Sequence, residues 1–583
     1  MSSKIDGILE SLNPQQKQAA TYTSGPSLIL AGAGSGKTRV LIAKVLYLVH
    51  KQRINPKTIL MITFTNKAAG EMRERLDGLE LYFTGTFHSF CSRLLRIEGK
   101  RLGLSRDFVI YDEQDQASLM KKIIKELDVS KISPGFVLSV LSMAKNRGVD
   151  PQEYIFQNYD EFIAERLEKT IELYEKRKRQ AGALDFDDLL VFAVKLLQEF
   201  PAVKEKYSRR LKYILIDEFQ DTNDVQYELA KLLSSFHKNL TVVGDFSQSI
   251  YSWRGAQIKN LLKFEEDFPQ AKRFFLEKNY RSTQPILDFA FKVIKENTSH
   301  PVLSLYTDKK EGFEVEIFDF ETEKEEAIFV ADKIEELQRE YNLQDFAVFY
   351  RINAQSRVLE EVFIHRGLPY KLTGGVRFYE RREIKDVLSY LRYTVNPKDE
   401  VARSRLLKLG KRRFVKFEEL LKKKNLKDLS PLQAMEEIFE ATGYLEKYDP
   451  LDNEDFSRLE NIKELKSVAF GFKNISEFLE HVALVESEYF EKEKGRTGVN
   501  LMTLHQAKGL EFAVVFIVGV EEGLLPHSRS SESLEEIEEE RRLFYVGITR
   551  AKERLFITFS RSRFMYGKRL YTLPSRFLPN FEF

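Results

Sequence analysis

The chain has too few cysteines to form a disulfide-rich domain or a metal site made from several cysteines. Its 583 residues include a single cysteine, Cys91, which excludes an internal disulfide and a zinc site made from several cysteines. No apolar run is long enough to span a bilayer, and the opening MSSKIDGILESLNPQQ lacks the continuous apolar core of a secretory signal. These absences favour a cytoplasmic protein with no membrane partner.

A strong net charge is missing as well. Lysine and arginine number 91 and aspartate and glutamate 89, which leaves a formal net charge of +2 and a pI near 8.1. Proteins that hold duplex DNA by charge alone are usually more basic. A nucleic-acid partner would therefore be held by local positive potential together with stacking on aromatic side chains, among which Trp253 is the only tryptophan.

Apolar strand patterns alternate with helical patterns in two parts of the chain, and a long charged helical stretch interrupts each part. Such alternation is typical of parallel α/β sheets. We therefore predict two α/β cores, each with a mostly helical insertion. The first core covers residues 1–95 and 184–274 around an insertion at 96–183, and the second covers 275–376 and 496–583 around an insertion at 377–495. The predicted strands are Ser27–Leu30, Thr58–Phe64, Tyr213–Ile216, Leu240–Val243, Val315–Phe318, Ala347–Phe349, Val514–Val518 and Leu555–Thr558.

A glycine-rich turn, AGAGSGKT, follows the first predicted strand and precedes its helix. Glycines let backbone N–H groups converge on phosphate oxygens, and the N-terminus of the next helix favours the same anion. The turn departs from the usual GxxxxGKS/T pattern only at its first position, which is alanine. The residues predicted to bind nucleotide phosphates here are Ala31, Gly32, Ala33, Gly34, Ser35, Gly36, Lys37 and Thr38.

A second motif, YILIDEFQD, ends an apolar strand on two carboxylates, Asp217 and Glu218. At the carboxyl edge of a parallel sheet Asp217 would face the phosphate loop and, with the Thr38 hydroxyl, hold Mg²⁺. Glu218 would then orient and deprotonate the attacking water. Together with Lys37, these residues predict hydrolysis of ATP.

Eleven strings occur in an order that resembles the UvrD/PcrA/Rep type of superfamily-one helicase. The strings are LNPQQ, AGAGSGKT, ITFTNKAAGEM, GTFHSFC, LDFDDL, IDEFQDTN, VVGDFSQSIYSWRGA, LEKNYRST, YRINAQSRVLEE, TLHQAKGLEF and ERRLFYVGITRAK. The resemblance extends from Leu12 to Phe577. It implies two RecA-like cores and an ATP-dependent 3′-to-5′ motor that moves on single-stranded DNA and opens duplexes at single-strand/double-strand junctions, with possible repair or replication proteins as partners.

The resemblance also implies roles at the nucleotide. Gln16 reads the adenine, Arg39 and Tyr280 sandwich its ring, and Glu511 lies near the ribose. The remaining implied residues act at the γ-phosphate, where one senses its presence and two are arginine fingers expected on the second core: Gln248, Arg281 and Arg550.

A further set of residues is implied to contact the DNA strand, by stacking or by polar contacts: Phe64, Thr86, His88, Tyr251, Trp253, Arg254 and His505. Aromatic side chains beside basic groups form a platform that tolerates any base sequence. His88 and His505 fit a structural role equally well. The basic run Lys176–Arg179 is expected to be a solvated helix face.

The chain departs from the family pattern at three places. Ser247 stands where an acidic residue is usual, and Gln506 stands where a small residue is common. The second insertion also looks shorter than usual and reads KLGKRRFVKFEE where relatives carry a Gly-Ile-Gly turn that grips duplex DNA. This last departure leaves two alternatives open: a translocase that strips proteins from single-stranded DNA, and the helicase subunit of a helicase–nuclease assembly. A non-hydrolysing ATP-gated binding module and a small-molecule kinase fit the motifs less well.

Overall fold

The computed structural model describes residues 2–129, 132–374, 376–492, 497–531, 533–565 and 568–579. Contacts divide the chain into two units. Unit 1 comprises Met1–Arg281 and His300–Thr307, and unit 2 comprises Ser282–Ser299 and Asp308–Phe583. Among the described residues, no helix combines the length and the apolar character needed to cross a membrane.

Unit 1 is built on a six-stranded sheet in which every pairing is parallel, with a separate two-stranded sheet in its insertion. The strand order of the large sheet is β3-β2-β6-β7-β1-β8, so the first strand of the chain lies between β7 and the edge strand β8. The strands are β1 (Ser27–Ala31), β2 (Ile59–Thr63), β3 (Phe83–Thr86), β4 (Val109–Ile110), β5 (Ala183–Leu184), β6 (Tyr213–Ile216), β7 (Leu240–Gly244) and β8 (Lys272–Leu276).

Helices cover both faces of this sheet, and their apolar residues form separate cores on the two faces. The central strands β1, β2 and β7 are buried at every position, which explains why they read as uninterrupted apolar runs. The helices of unit 1 are α1 (Ser2–Glu10), α2 (Pro14–Thr21), α3 (Lys37–His50), α4 (Asn66–Arg75), α5 (Phe87–Glu98), α6 (Glu113–Glu126), α7 (Pro134–Arg147), α8 (Pro151–Asn158), α9 (Glu161–Gln180), α10 (Phe186–Glu199), α11 (Pro201–Arg210), α12 (Asp224–Ser234) and α13 (Lys259–Asp267).

The parallel arrangement places the carboxyl ends of all six strands at one edge of the sheet. The segments that leave this edge carry the predicted site residues: the phosphate loop after β1, Phe64 after β2, Thr86 at the end of β3, Asp217 after β6, Gln248 after β7, and Arg281 after β8. Gln16, on α2 before β1, is the predicted site residue of unit 1 that does not follow one of these strands. The fold of unit 1 therefore gathers motifs that lie more than two hundred residues apart in the sequence.

A buried ion cluster joins the helical insertion α6–α9 to the first core. Lys178 on α9 lies within 2.5 Å of Asp185 and 2.7 Å of Asp188, and Lys145 on α7 lies 2.6 Å from Asp188. Lys178 is 2% exposed, so the expectation that Lys176–Arg179 is a solvated face is wrong at this residue. Asp185 and Asp188, which begin α10, supply the counter-charges that allow a lysine to be buried.

Unit 2 has a seven-stranded sheet with the order β11-β12-β10-β13-β14-β15, in which β9 also pairs with β14. All pairings are parallel except the hairpin between β14 and β15. The strands are β9 (Glu316–Thr322), β10 (Phe346–Tyr350), β11 (Tyr370–Leu372), β12 (Val499–Thr503), β13 (Phe512–Ile517), β14 (Ala551–Met565) and β15 (Lys568–Tyr571).

The second helical insertion lies between the neighbouring strands β11 and β12, and its apolar side chains share one continuous core with the sheet of unit 2. At the place of the expected Gly-Ile-Gly turn, Leu409 and Gly410 connect two helices. The helices of unit 2 are α14 (Gln284–Ile294), α15 (Glu323–Leu337), α16 (Ser356–Arg366), α17 (Arg382–Val395), α18 (Glu400–Lys408), α19 (Lys411–Lys423), α20 (Pro431–Thr442), α21 (Asn453–Phe470), α22 (Ile475–Lys492) and α23 (Leu534–Ile548).

These elements confirm the predicted α/β class with two parallel-sheet cores, each interrupted by a mostly helical insertion. The domain boundary predicted at residue 275 stays a prediction. Residue 275 lies within β8, which pairs with β1 over five positions, and the contacts assign the chain to unit 1 up to Arg281 and again at residues 300–307. The sequence pattern did not reveal β8 because its residues alternate in burial and include Lys272 and Arg273.

We predict that Lys178→Met lowers the free energy of unfolding by about 3 kcal/mol, because it leaves buried carboxylates short of one ammonium group. Urea denaturation of the intact protein measures the change. Lys176→Met, at an exposed position on the same helix, is the matched control. An equal effect of the two substitutions would show that the buried ion cluster makes no net contribution to stability.

Candidate functional site

The phosphate loop lies between β1 and α3 and is fixed by the segment that follows β8. The Asn279 side-chain amide donates to the Ala33 carbonyl at 2.7 Å, and the Tyr280 N–H donates to the Gly34 carbonyl at 3.0 Å. Gly34 has a φ of +65°, and a Cβ atom there would lie 2.6 Å from the Asn279 amide nitrogen. Only glycine therefore fits this position, both for backbone conformation and for space.

Two carboxylates face the phosphate loop from the end of β6. The Thr38 hydroxyl donates to Asp217 at 2.9 Å, and the Lys37 ammonium lies 3.3 Å from the Glu218 carboxylate. Burial, and next the charge of Glu218, raises the pKa of Asp217 to about 7. The structure thus brings together four of the residues that were predicted to act on ATP and its metal.

These side chains fit a magnesium ion. Mg²⁺ takes hard oxygen ligands, and the Thr38 hydroxyl and the Asp217 carboxylate present such oxygens side by side. Asp217 is 3% exposed, so a divalent cation would supply the positive charge that a buried, ionised carboxylate requires. Thr38 and Asp217 could therefore hold the metal, with nucleotide phosphates as further ligands.

Glu218 has a left-handed backbone conformation with a φ of +53°, which is unusual for a residue with a side chain. The Gln220 amide donates to Glu218 at 2.5 Å, and its carbonyl oxygen accepts from the Asp245 N–H at 3.1 Å. Gln220 is fully buried and so links the loop after β6 directly to the loop after β7.

The loop after β7 carries the predicted γ-phosphate sensor, Gln248, whose amide donates to Asp245 at 2.6 Å. Ser247, at the position where relatives have an acidic residue, is 2% exposed and lies 3.4 Å from the His300 imidazole. His300 also stacks on Phe246. The departure at Ser247 therefore replaces a charge by a buried hydroxyl that contacts the returning segment 300–307.

The residues implied in adenine recognition surround the same loop. The Gln16 amide donates to the Ser35 carbonyl at 2.8 Å, and the Tyr280 hydroxyl lies 3.5 Å from the Gln16 side-chain oxygen. Arg39 lies in the first turn of α3 near Gly36, and its guanidinium donates to the Ser11 hydroxyl. Tyr280 is 41% exposed, which leaves part of its ring available for stacking.

The two predicted arginine fingers lie in different units. Arg281 belongs to unit 1, where its Cβ lies against Gly34 and its N–H donates to Asn279. The expectation that Arg281 belongs to the second core stays a prediction, and in the structure the bonds of Asn279 and Tyr280 to the phosphate loop place this segment with unit 1. Arg550 is in unit 2, where it is 2% exposed and donates to the Val546 carbonyl at the end of α23.

Two other residues implied in ATP or DNA binding also lie in unit 2. Glu511 pairs with Lys552 at 2.9 Å. His505 is half-buried in the turn after β12. Next to it, the Gln506 amide donates to the Gly374 carbonyl at 3.0 Å, which gives this departure from the family pattern a structural role.

Aromatic side chains lie close to the γ-phosphate sensor. Phe64 and Tyr251 stack with ring centroids 5.4 Å apart and an angle of 16° between the rings, and Trp253 meets Tyr251 edge-on. Trp253 is 48% exposed, so its indole is not part of the core. The side chain of Arg254 lies outside the described part of the structure.

The other predicted DNA contacts of unit 1 have structural partners. The Thr86 hydroxyl caps α5 by accepting from the Ser89 N–H. His88 meets Phe186 edge-on, and burial lowers its pKa to about 4, so its ring is neutral near pH 7. A neutral ring excludes a charge contact with phosphate but keeps a hydrogen-bonding nitrogen. Cys91 is fully buried.

The sequence reasoning missed Gln220 and Asn279 as site residues. Both occur within strings that were recognised, IDEFQDTN and LEKNYRST, but an isolated amide carries no signal of its own. Their bonds span 25 and 246 residues, so only the three-dimensional arrangement reveals them.

Two family models match nearly the whole chain. The UvrD/REP helicase N-terminal domain matches residues 12–269, and the UvrD-like helicase C-terminal domain matches residues 274–427 and 411–562. The join between the matches, at residues 269–274, overlaps the start of β8.

Three proteins similar to the chain bear the name ATP-dependent DNA helicase PcrA. The protein of Bacillus subtilis (strain 168) is 41% identical over 636 aligned residues, which cover 98% of this chain and 86% of that protein. The Staphylococcus aureus (strain Mu50) protein is 39% identical with the same coverage, and the Staphylococcus epidermidis protein is 38% identical over 98% of this chain and 87% of that protein. Because the alignment is longer than the 583-residue chain, the relatives contain internal segments that this chain lacks.

We predict that Glu218→Gln retains nucleotide binding and lowers ATP turnover by about 10²–10⁴-fold, the usual contribution of a general base. Phosphate release measures turnover, and titration with a fluorescent nucleotide analogue measures binding. Glu199→Gln, on the exposed end of α10, is the control. Undiminished turnover in Glu218→Gln would remove this carboxylate from the chemistry.

Proposed function

Because the chain belongs to the UvrD/REP helicase family, we propose that it is an ATP-dependent DNA helicase that moves 3′-to-5′ along single-stranded DNA. One observation carries the proposal beyond family membership. The Glu218 carboxylate is connected through Gln220 to the loop after β7, which also holds Gln248 and leads within a few residues to Tyr251 and Trp253. The segment after β7 therefore carries both the γ-phosphate sensor and two of the aromatic residues proposed to contact the strand.

In the proposed reaction, ATP binds at the carboxyl edge of the unit 1 sheet. Backbone N–H groups of the phosphate loop and the Lys37 ammonium hold the phosphates. Thr38 and Asp217 would hold Mg²⁺, which would supply positive charge to the phosphate oxygens. Glu218 accepts a proton from the attacking water, and its contact with Lys37 at 3.3 Å orients the carboxylate.

Charge that develops on the γ-phosphate also needs cations and hydrogen-bond donors. Arg281 lies beside the phosphate loop, and its position next to Gly34 supports a direct contact with bound phosphate. Gln248 would exchange its bond to Asp245 for one to the γ-phosphate. Arg550 of unit 2 is proposed as the second finger, and Glu511 as a ribose contact.

The DNA strand is proposed to stack on the aromatic group of Phe64, Tyr251 and Trp253. The half-exposed indole and the stacked pair beside it suit a track that binds any base sequence. Thr86, His88, Arg254 and His505 would make polar contacts along the strand. Single-strand/double-strand junctions are the proposed substrate, repair or replication proteins are possible partners, and the cytoplasm is the proposed location.

A second candidate function is translocation that strips proteins from single-stranded DNA with weak unwinding. The short connection Leu409–Gly410 between α18 and α19, in place of a Gly-Ile-Gly turn, favours it. In this case the motor would be intact while duplex gripping would be reduced. A helicase–nuclease assembly is a variant of the same idea in which a partner supplies the nuclease.

We predict that a single-stranded oligonucleotide stimulates steady-state ATP hydrolysis at least tenfold, since strand contact and the sensor loop share one segment. Lys37→Ala should abolish both the basal and the stimulated rates. Hydrolysis that is indifferent to DNA would contradict the proposed coupling. Duplexes with 3′ or 5′ tails then separate the candidates: unwinding of the 3′-tailed form supports the helicase, and displacement of bound protein without unwinding supports the translocase.

We predict that Trp253→Ala weakens DNA stimulation of the ATPase by about tenfold, because loss of one stacked base costs roughly 1–3 kcal/mol. The Michaelis constant for ATP without DNA should stay unchanged. Phe236→Ala is the matched control, since Phe236 is 49% exposed and Trp253 is 48% exposed. Equal stimulation of the two variants would argue against stacking on Trp253.

A further inference from the structure

A lysine is buried behind the phosphate loop without a carboxylate among its recorded partners in the described ranges. Lys44 lies two turns after Lys37 on α3 and is 1% exposed. Its ammonium donates to the Tyr22 carbonyl at 2.5 Å and to the Ala19 carbonyl at 3.2 Å, and it lies 5.6 Å from the centre of the Tyr22 ring. Both carbonyls belong to the carboxyl-terminal end of α2.

The opposite end of α2 carries Gln16, the residue proposed to read the adenine. Asn13 caps this end, and the Gln16 side chain completes the capping box by accepting from the Asn13 N–H. The Gln16 amide also donates to the Ser35 carbonyl within the phosphate loop. This helix has only eight residues, a length at which a helix has little stability of its own.

Helix α2 is therefore held to the phosphate loop and α3 at both ends. Gln16 makes the bond at the amino end, and Lys44 makes the bonds at the carboxyl end. The ammonium also satisfies carbonyls that a helix leaves unpaired at its last turn and interacts favourably with the negative end of the helix dipole. Loss of these bonds would release the helix at the end opposite to Gln16.

We propose that Lys44 is a positioning residue for base recognition, which sets α2 so that Gln16 meets the adenine at the phosphate loop. The proposal rests on the proposed role of Gln16. Lys44 touches neither nucleotide nor metal, and it acts through the placement of α2. It therefore determines the preference for adenine over other bases and the affinity for ATP, while the hydrolytic residues Lys37, Asp217 and Glu218 remain in place.

The cost of the buried charge supports a positioning role over simple packing. Burial lowers the pKa of Lys44 to about 7, so the ammonium is held in surroundings that disfavour it. An apolar side chain of similar length would fill the same space without that cost. A methionine could not donate hydrogen bonds to the two carbonyls of α2. The geometry assigns this function to the lysine.

The test compares Lys44→Met, which keeps the length and removes the donors, with Lys44→Arg, which keeps both donors and charge. The readouts are kcat and KM for ATP and for GTP with saturating single-stranded DNA. Lys51→Met is the matched control, because Lys51 joins α3 to Asp6 of α1 at the surface. Gln16→Ala serves as the reference for loss of base reading.

We expect Lys44→Met to raise the KM for ATP by about three- to tenfold with kcat within about twofold, the range set by loss of one or two hydrogen bonds. The ratio of kcat/KM for ATP over GTP should fall by a similar factor. Lys44→Arg should restore most of both values, and Lys51→Met should change neither. Lys44→Gln, which keeps two amide hydrogens, extends the series if Lys44→Met does not yield folded protein.

The outcomes separate the two proposals. If Gln16→Ala leaves the ATP:GTP ratio unchanged, Gln16 does not read the base and the proposal for Lys44 fails with it. If Gln16→Ala lowers the ratio and Lys44→Met does not, only the proposal for Lys44 fails. The double variant Gln16→Ala with Lys44→Met should have the same ratio of kcat/KM for ATP over GTP as Gln16→Ala alone. A lower ratio in the double variant would show that Lys44 acts by another route.

Discussion

The parallel sheet of unit 1 is the constraint on which the rest of the site depends. Because every strand runs in the same direction, all six carboxyl ends meet at one edge, and the residues proposed to bind ATP or DNA in this unit leave the sheet there or lie against it. The order β6-β7-β1 places the loop with Gln248 between the loop with Glu218 and the phosphate loop. Adjacency in the sheet, and not in the sequence, makes these three loops a single site.

Hydrogen bonds between side chains and loops then turn adjacency into fixed geometry. Gln220 joins the two loops after β6 and β7, and Asn279 joins the segment after β8 to the phosphate loop. Each of these amides uses both its oxygen and its nitrogen, so a movement of one loop changes the bonds of the next. In the proposed helicase cycle, loss of a phosphate at one loop would therefore move the aromatic residues that follow another loop.

The sequence predicted the fold class and the chemistry of the ATP site well, since glycine-rich turns and buried apolar strands leave direct marks in the sequence. The prediction failed where burial depends on contacts with distant residues, or where only some positions of a strand are buried. Strand β8 alternates buried and exposed residues and carries cations, so the sequence pattern did not reveal it as a strand of the first sheet. Lys178 reads as part of a basic surface run, yet carboxylates of the next helix draw it into the interior. Burial of that kind depends on partners that no local pattern displays.

The returning segment His300–Thr307 has a consequence for how such a chain could have evolved. The polypeptide leaves unit 1 after Arg281, comes back for eight residues and leaves again, and in that interval Leu305 packs against Gly32 of the phosphate loop. A gene fragment that ends at Arg281 would encode the whole first sheet but not this piece. Exchange of one unit between related genes would therefore need more than one crossover to keep the returning segment matched to its phosphate loop.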